Sequence, residues 1–321
     1  MLIEQRLITA FSLPERVGFP MARVSQPHSS PRLPADEVAF SDLVDRRMEG
    51  AVRRARWQAE LRDAFQRHIG VPLEEALFRR WADGKAGGGW IERRGLPRRS
   101  VETRLGSALV VHVDPRELIR DLNVKGVGGR RPFSSAFIWD GDWDQSRGDL
   151  RRGSRYRFIS DLDLHRADLT QTERFRQYRS RLQSGNPWSS HRQGLLLDSE
   201  EAILAYLKTY LGFLDAMARD GFDSELGKDD LGVAVTRDGR LLKVNRGLHR
   251  LAMAQRVGLR SIPVVVRAVH RQWWQRVVKD ASGEAALARV AEALTRCTPE
   301  TEPGELDPGE ELGPIDWPAP R

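Results

Sequence analysis

The chain of 321 residues has a single cysteine, Cys297. One thiol excludes an internal disulfide framework and any metal site built from a cysteine cluster. Lysine is nearly as scarce: six of the 52 basic residues are Lys and the rest are Arg. No apolar run approaches the roughly 18 residues that a bilayer span requires. The first twenty residues, "MLIEQRLITAFSLPERVGFP", carry an early acid and a broken apolar stretch where a signal peptide would have a basic and then an apolar region. These absences lead to the expectation of a cytoplasmic protein with no membrane partner.

What is present is charge, unevenly spread. The net charge is +7, but the stretch from Pro299 to Arg321 holds seven acids and one base, so the rest of the chain carries +13. Arg offers a planar fork suited to phosphate, and a basic body favours anionic partners, nucleotide or nucleic acid. Compositional bias toward Arg explains the count equally well. The Arg runs at 53–56, 93–99, 130–131 and 151–157 read as solvated faces. Gathered on one side they would make a nucleic-acid footprint.

Four regions follow from pattern. Residues 1–37 are an N-terminal segment ending in a Pro- and Ser-rich linker. Residues 38–100 are a basic helical extension, with apolar residues from Val38 to Phe65 at steps near 3.6, a stop at Gly70, and a shorter helix over about 73–82. Residues 101–298 hold the main domain, and 299–321 form an acidic tail without periodicity, expected to be disordered. Within the main domain, "SALVVHV" predicts a strand. "DPRELIRDL" predicts a helix capped by Asp114 with Pro115 at its first position. "AFIW" predicts another strand. Helices are expected over Leu169–Gln183 and Ser199–Arg219, then a hairpin around Arg237-Asp238-Gly239, a helix over 248–257 and a β-branched strand, "IPVVVRAV". One long helix over 270–295 completes the set.

The junction Asn245-Arg246-Gly247-Leu248-His249-Arg250 lies where a strand hands over to a helix. Amides at a helix start lack intrahelical partners, and the aligned dipoles add partial positive charge. Gly lets a ligand oxygen approach the backbone, and His249 and Arg250 add donors in the first turn. Asn245, Gly247, His249 and Arg250 are therefore candidate phosphate ligands. Arg250 shares a helix face with Met253, Ala254 and Val257, so the alternative is an Arg paired with a buried acid and a surface His249.

The run "RDGRLLKVNRGLHRLAMAQRVGLRSIPVVV" resembles the signature of the ParB/sulfiredoxin-like superfamily: hairpin, Gly-x-His-Arg turn, helix and "IPVxV" strand in that order. A looser likeness extends over about 107–280. The resemblance implies an α+β fold, a small mixed sheet with surrounding helices, here with a helical N-terminal extension. It also implies nucleotide phosphate binding by Gly247, His249 and Arg250, with ATP or CTP and Mg²⁺ as the cofactors. Three departures narrow it. Leu248 stands where the sulfiredoxin-type enzymes carry a catalytic Cys, which argues against sulfinic-acid reduction. Leu-His-Arg replaces the Glu-Arg-Arg of the chromosome-segregation proteins. Asn245 and Arg246 replace the acid that the serine-kinase members place before the Gly.

"WDGDWD" sets Asp140, Asp142 and Asp144 two apart, on one side of an extended segment. Three carboxylates so spaced are candidate Mg²⁺ ligands. The alternative is an Asx-rich turn with Trp139 and Trp143 in the core. An EF-hand loop is excluded, because Gln145 and Arg151 stand where it requires Gly and Glu. The reading is a nucleotide-binding protein, with a Mg-dependent phosphotransferase or nucleotide hydrolase as its activity. The alternatives are a non-catalytic DNA-associated module or a ParB-like nuclease.

Overall fold

A helical lead-in precedes the sheet. Short turns at Ser41–Leu43 and Arg46–Met48 enter α1 (Glu49–Phe65), and a wide turn over Gln66–Gly70 carries it into α2 (Val71–Ala82). The stop expected at Gly70 does not occur. Gly70 is right-handed helical, and Pro72 lies at the start of α2, just after the wide turn. Helices α3 (Gly88–Arg93) and α4 (Arg98–Leu105) complete the lead-in. The computed structural model describes residues 39–123, 135–191, 193–224, 230–244, 246–307 and 317–321. All of them fall in one unit, Leu33–Arg321.

Strand β1 (Val110–Val113) follows, but the helix expected from Asp114 does not form. Asp114 Oδ1 accepts from the Arg116 amide at 2.7 Å and caps one turn. The chain then extends into β2 (Arg120–Leu122), because Leu118 and Ile119, adjacent in sequence, are both buried. Next come β3 (Ile138–Trp139) and β4 (Arg147–Asp149). Where sequence predicts only a solvated Arg run, α5 (Ser154–Leu164) begins, burying Phe158, Ile159 and Leu162. Helix α6 (Glu173–Gln183), a separate hairpin of β5 (Trp188–Ser190) and β6 (Leu195–Leu197), and α7 (Glu200–Asp220) follow. Ser199 Oγ caps α7 by accepting from the Ala202 amide.

The predicted hairpin is present as β7 (Gly232–Val235) and β8 (Arg240–Lys243), turning at Gly239 with φ 86°. Helix α8 (Leu248–Val257) and β9 (Ile262–His270) keep their expected bounds closely. The long terminal helix is broken into α9 (Arg271–Val278) and α10 (Gly283–Leu294). Lys279 has φ 51° and Gly283 φ 57°, and a Cβ on Gly283 would lie 2.4 Å from the Ala82 carbonyl oxygen. The close approach of α10 to α2 therefore demands the glycine and the break.

The main sheet is mixed, in the order β1-β9-β7-β8-β2-β4, with β3 paired to β9 and β10 (Thr298–Pro299) to β8. The fold is thus α+β. Alternation along β7 divides the core. Val233 and Val235 join the larger cluster with α5, α7 and α8, while Ala234 faces Trp139 and Trp143 on the other side.

The acidic tail is not loose over its described residues. Beyond β10, Glu300 is buried and pairs with Arg147 at 2.8 Å, and Asp307 Oδ1 accepts from the Arg147 amide at 2.7 Å. At 317–321, Trp317 packs edge-on against Tyr156, and Arg321 pairs with Asp163. The excess positive charge of the body recruits the tail acids, which composition alone could not reveal. No helix among the described residues is long and apolar enough to cross a membrane.

Candidate anion-binding site

The turn into α8 is built by two residues. Gly247 has φ 85°, and a Cβ there would meet Leu231 Cδ2 at 2.5 Å, so only glycine fits. Lys243, at the end of β8, is almost fully buried. Its ammonium donates to the carbonyls of Gly232 at 3.2 Å, of Arg246 at 2.7 Å and of Val244. These bonds hold the backbone just before Gly247.

Helix α5 packs against α8, and the two helices begin at one cavity of about 160 Å³. Gly153, Ser154 and Arg155 line it from the start of α5, and Leu248 from the start of α8. Neither N-terminus has a side-chain cap. On α8 the lining continues down one side face through Leu251, Ala252 and Gln255, so it is the first-turn amides of α5, with its dipole, that are available to an anion there. Arg155, at the rim, adds a guanidinium. The volume suits a phosphate group and a few further atoms. The base of a nucleotide would lie outside it.

Of the predicted ligands, Gly247 makes the turn. Asn245 lies outside the described residues. His249 and Arg250 do not converge on the cavity, because consecutive helical residues point about 100° apart. The His249 ring packs between Tyr210, at 5.2 Å between centroids, and Phe158, at 6.0 Å. Burial, and then the nearby Arg155 and Arg174, push its pKa down to about 4, so it is neutral at physiological pH. Arg250 turns the other way. Its guanidinium sits 4.4 Å over the Phe222 ring, donates to the Asp223 carbonyl, and lines a separate cavity with Glu102 and Arg267. Leu248, the residue between Gly247 and His249, is the one that faces the shared cavity.

The acidic triplet is likewise committed elsewhere. Asp144, fully buried, accepts from the Arg237 amide at 2.7 Å and pairs with its guanidinium at 2.8 Å. Asp142 pairs with the same Arg237 at 2.8 Å, and Asp140 with Arg271 at 2.7 Å. Burial works to raise the Asp144 carboxyl, but the Arg237 hydrogen bonds prevail and hold it below the usual carboxylate range. The triplet ties its loop to the β7–β8 turn and to the start of α9. Among the described residues no group of three or more His, Cys, Asp or Glu side chains is placed to hold a metal ion.

Two other carboxylates line the cavity, Asp121 on β2 and Asp149 on β4. Burial tends to raise Asp149, yet hydrogen bonds from Arg151, at 2.9 Å to the amide and 2.7 Å to Nη2, hold it low. Asp121 is the reverse. Burial raises its carboxyl to about 6, against the opposing charge of Lys243 and with help from Asp149.

Asp121, Lys243 and α5 are the parts of the site that sequence reasoning missed. A signal existed for Lys243: an ammonium in the apolar run "RLLKV" must find carbonyls or an acid once the hairpin is buried. Comparison of the chain with protein-family models, characterised proteins and solved structures gave no match.

Proposed function

We propose that the protein binds the phosphate end of a nucleotide, ATP or CTP, in the cavity between the starts of α5 and α8, and that it acts as a phosphotransferase or nucleotide hydrolase. The observation that carries this reading is the uncapped N-terminus of α5 opening, beside Arg155, on a cavity that it shares with Leu248 and the side face of α8. The likeness of residues 237–266 to ParB/sulfiredoxin-like domains supports it, with one change. Helix α5 takes over the ligand role that the resemblance gives to His249 and Arg250. Mg²⁺ would arrive with the nucleotide, held chiefly by phosphate and water.

Thermal shift with ATP, CTP and GTP, with and without Mg²⁺, tests the reading. A nucleotide at 100 times its Kd stabilises by about 2.7 kcal/mol. Ser154→Glu and Arg155→Glu put negative charge at the start of α5 and should abolish the shift, whereas His249→Phe should keep it. Equal shifts in all three variants overturn the site.

A DNA-associated role draws on one further observation, the exposed Arg53, Arg54, Arg56 and Arg62 of α1. Salt-dependent DNA binding that survives Arg155→Glu and is lost on changing those four would favour it.

A further inference from the structure

Four partly or fully buried aspartates invite comparison. Asp144 is clasped by Arg237, Asp149 by Arg151, and Asp163 by Arg256 at 2.6 Å and Arg166 at 3.0 Å. Each is held low by those bonds, against the pull of burial. Asp121 lacks such a clasp: among the described residues no cation comes within ion-pair distance of it. Lys243, opposite it in the β2–β8 register, turns its ammonium to backbone carbonyls.

The position of Asp121 is also built. Gly148 is its partner across β2 and β4, and a Cβ on Gly148 would lie 2.2 Å from Asp121 Oδ1. The glycine makes the room in which the carboxylate sits, at the wall of the cavity where α5 and α8 begin.

We infer that Asp121 is the catalytic proton acceptor of this cavity, taking the proton of a hydroxyl, from water or from an alcohol, as that oxygen attacks the terminal phosphorus of the bound nucleotide. The inference rests on the nucleotide reading of the same cavity. One P–O bond forms from the hydroxyl oxygen. The bond from the terminal phosphorus to its bridging oxygen breaks, and the nucleoside diphosphate leaves with that electron pair. The proton goes to an Asp121 carboxylate oxygen and from there to solvent.

The two carboxylates of the cavity are pushed apart in proton affinity, Asp149 down by Arg151 and Asp121 up by burial. Such a split assigns the base role to the higher one, whose affinity lies nearer neutral pH. Among the described residues the charged groups that face Asp121 are Lys243 of β8, Asp149 of β4 and, at the rim, Arg155 of α5.

The test uses the full chain with ATP, CTP or GTP and Mg²⁺. Phosphate release is assayed in water, and transfer is assayed to added glycerol. The wild-type rate should rise with pH and level off above about 6. Asp121→Asn should keep the nucleotide thermal shift and lose turnover by about 10²-fold or more. Asp121→Glu should restore part of the rate together with its acid limb. Gly148→Ala, which displaces the carboxylate without removing it, should also slow turnover and leave binding in place. Release without transfer identifies water as the nucleophile, and glycerol phosphate identifies an alcohol. Absence of a thermal shift in the wild type overturns the nucleotide reading. A wild-type shift without turnover, or turnover unchanged in Asp121→Asn, overturns the role of Asp121 and leaves that reading standing.

Discussion

Asp144 and Asp121 are the same residue type, both withdrawn from water and both close to the β7–β8 hairpin, yet their environments oppose one another. Asp144 has no exposed surface and receives both the amide and the guanidinium of Arg237. Asp121 lines an open cavity, and among the described residues no guanidinium forms an ion pair with it. The first is an anchor, because its charge is answered by groups that belong to the fold. The second has only the charge of Lys243, whose ammonium is bonded to backbone carbonyls, to oppose it, and it lines a cavity where a ligand can arrive. Burial alone therefore does not mark a functional carboxylate. Burial without an internal ion pair, at a cavity wall, does.

The largest effect should come from breaking the anchor. Asp144→Asn takes from Arg237 its fully buried partner and leaves it only the exposed Asp142; breaking a buried pair typically costs about 3–5 kcal/mol. Chemical denaturation at pH 7 should find that loss, and Asp142→Asn, on the exposed side of the same Arg, should cost under about 1 kcal/mol. A loss for Asp144→Asn no larger than for Asp142→Asn would erase the distinction between anchor and surface pair.

Asp121→Asn should go the other way. The folded chain holds the Asp121 proton up to about pH 6, while an unfolded Asp releases it near 3.8. Its contribution to stability is thus greatest at low pH and falls as pH rises through that window. At pH 7 the charged, buried form costs roughly 2–3 kcal/mol. The amide avoids that cost, so Asp121→Asn should be more stable than the wild type at pH 7 and show no advantage at pH 4. A substitution that stabilises while it removes turnover is the expected mark of a residue retained for chemistry.

The smallest of the three effects concerns His249. Its folded value of about 4 lies below the unfolded 6.5, so the unfolded chain takes up a proton that the folded chain refuses. Stability contributed by the neutral ring is complete above pH 6.5 and is lost as pH falls toward 4, by about 2 kcal/mol at pH 5. His249→Phe should flatten this acid limb in thermal melts between pH 7 and 4.5. An unchanged limb would mean that the ring is not enclosed by Phe158 and Tyr210.

Legibility followed the range of the interaction. The hairpin, the α8 start after Gly247 and the α7 helix were readable because each depends on residues within a few positions. The expected helix at Asp114 failed because Leu118 and Ile119 are claimed by the sheet, and the expected long helix failed at Gly283 because of contact with Ala82, some two hundred residues earlier. The Asp140–Asp144 spacing suggests metal ligands because the partners that engage these acids, Arg237 and Arg271, are about a hundred residues away. The tail was read from composition as loose, and it is the basic body that engages it.

By itself, the sequence determined the α+β character and the strand-to-helix turn at Gly247, since these follow from local backbone preferences. Only the tertiary structure decided that α5 and α8 begin at one cavity, that His249 is neutral among aromatic rings, and that Asp121 rather than the Asp140–Asp144 triplet stands open to a ligand. Proton affinity and access depend on which distant side chains share a site, and spacing along a chain does not encode that.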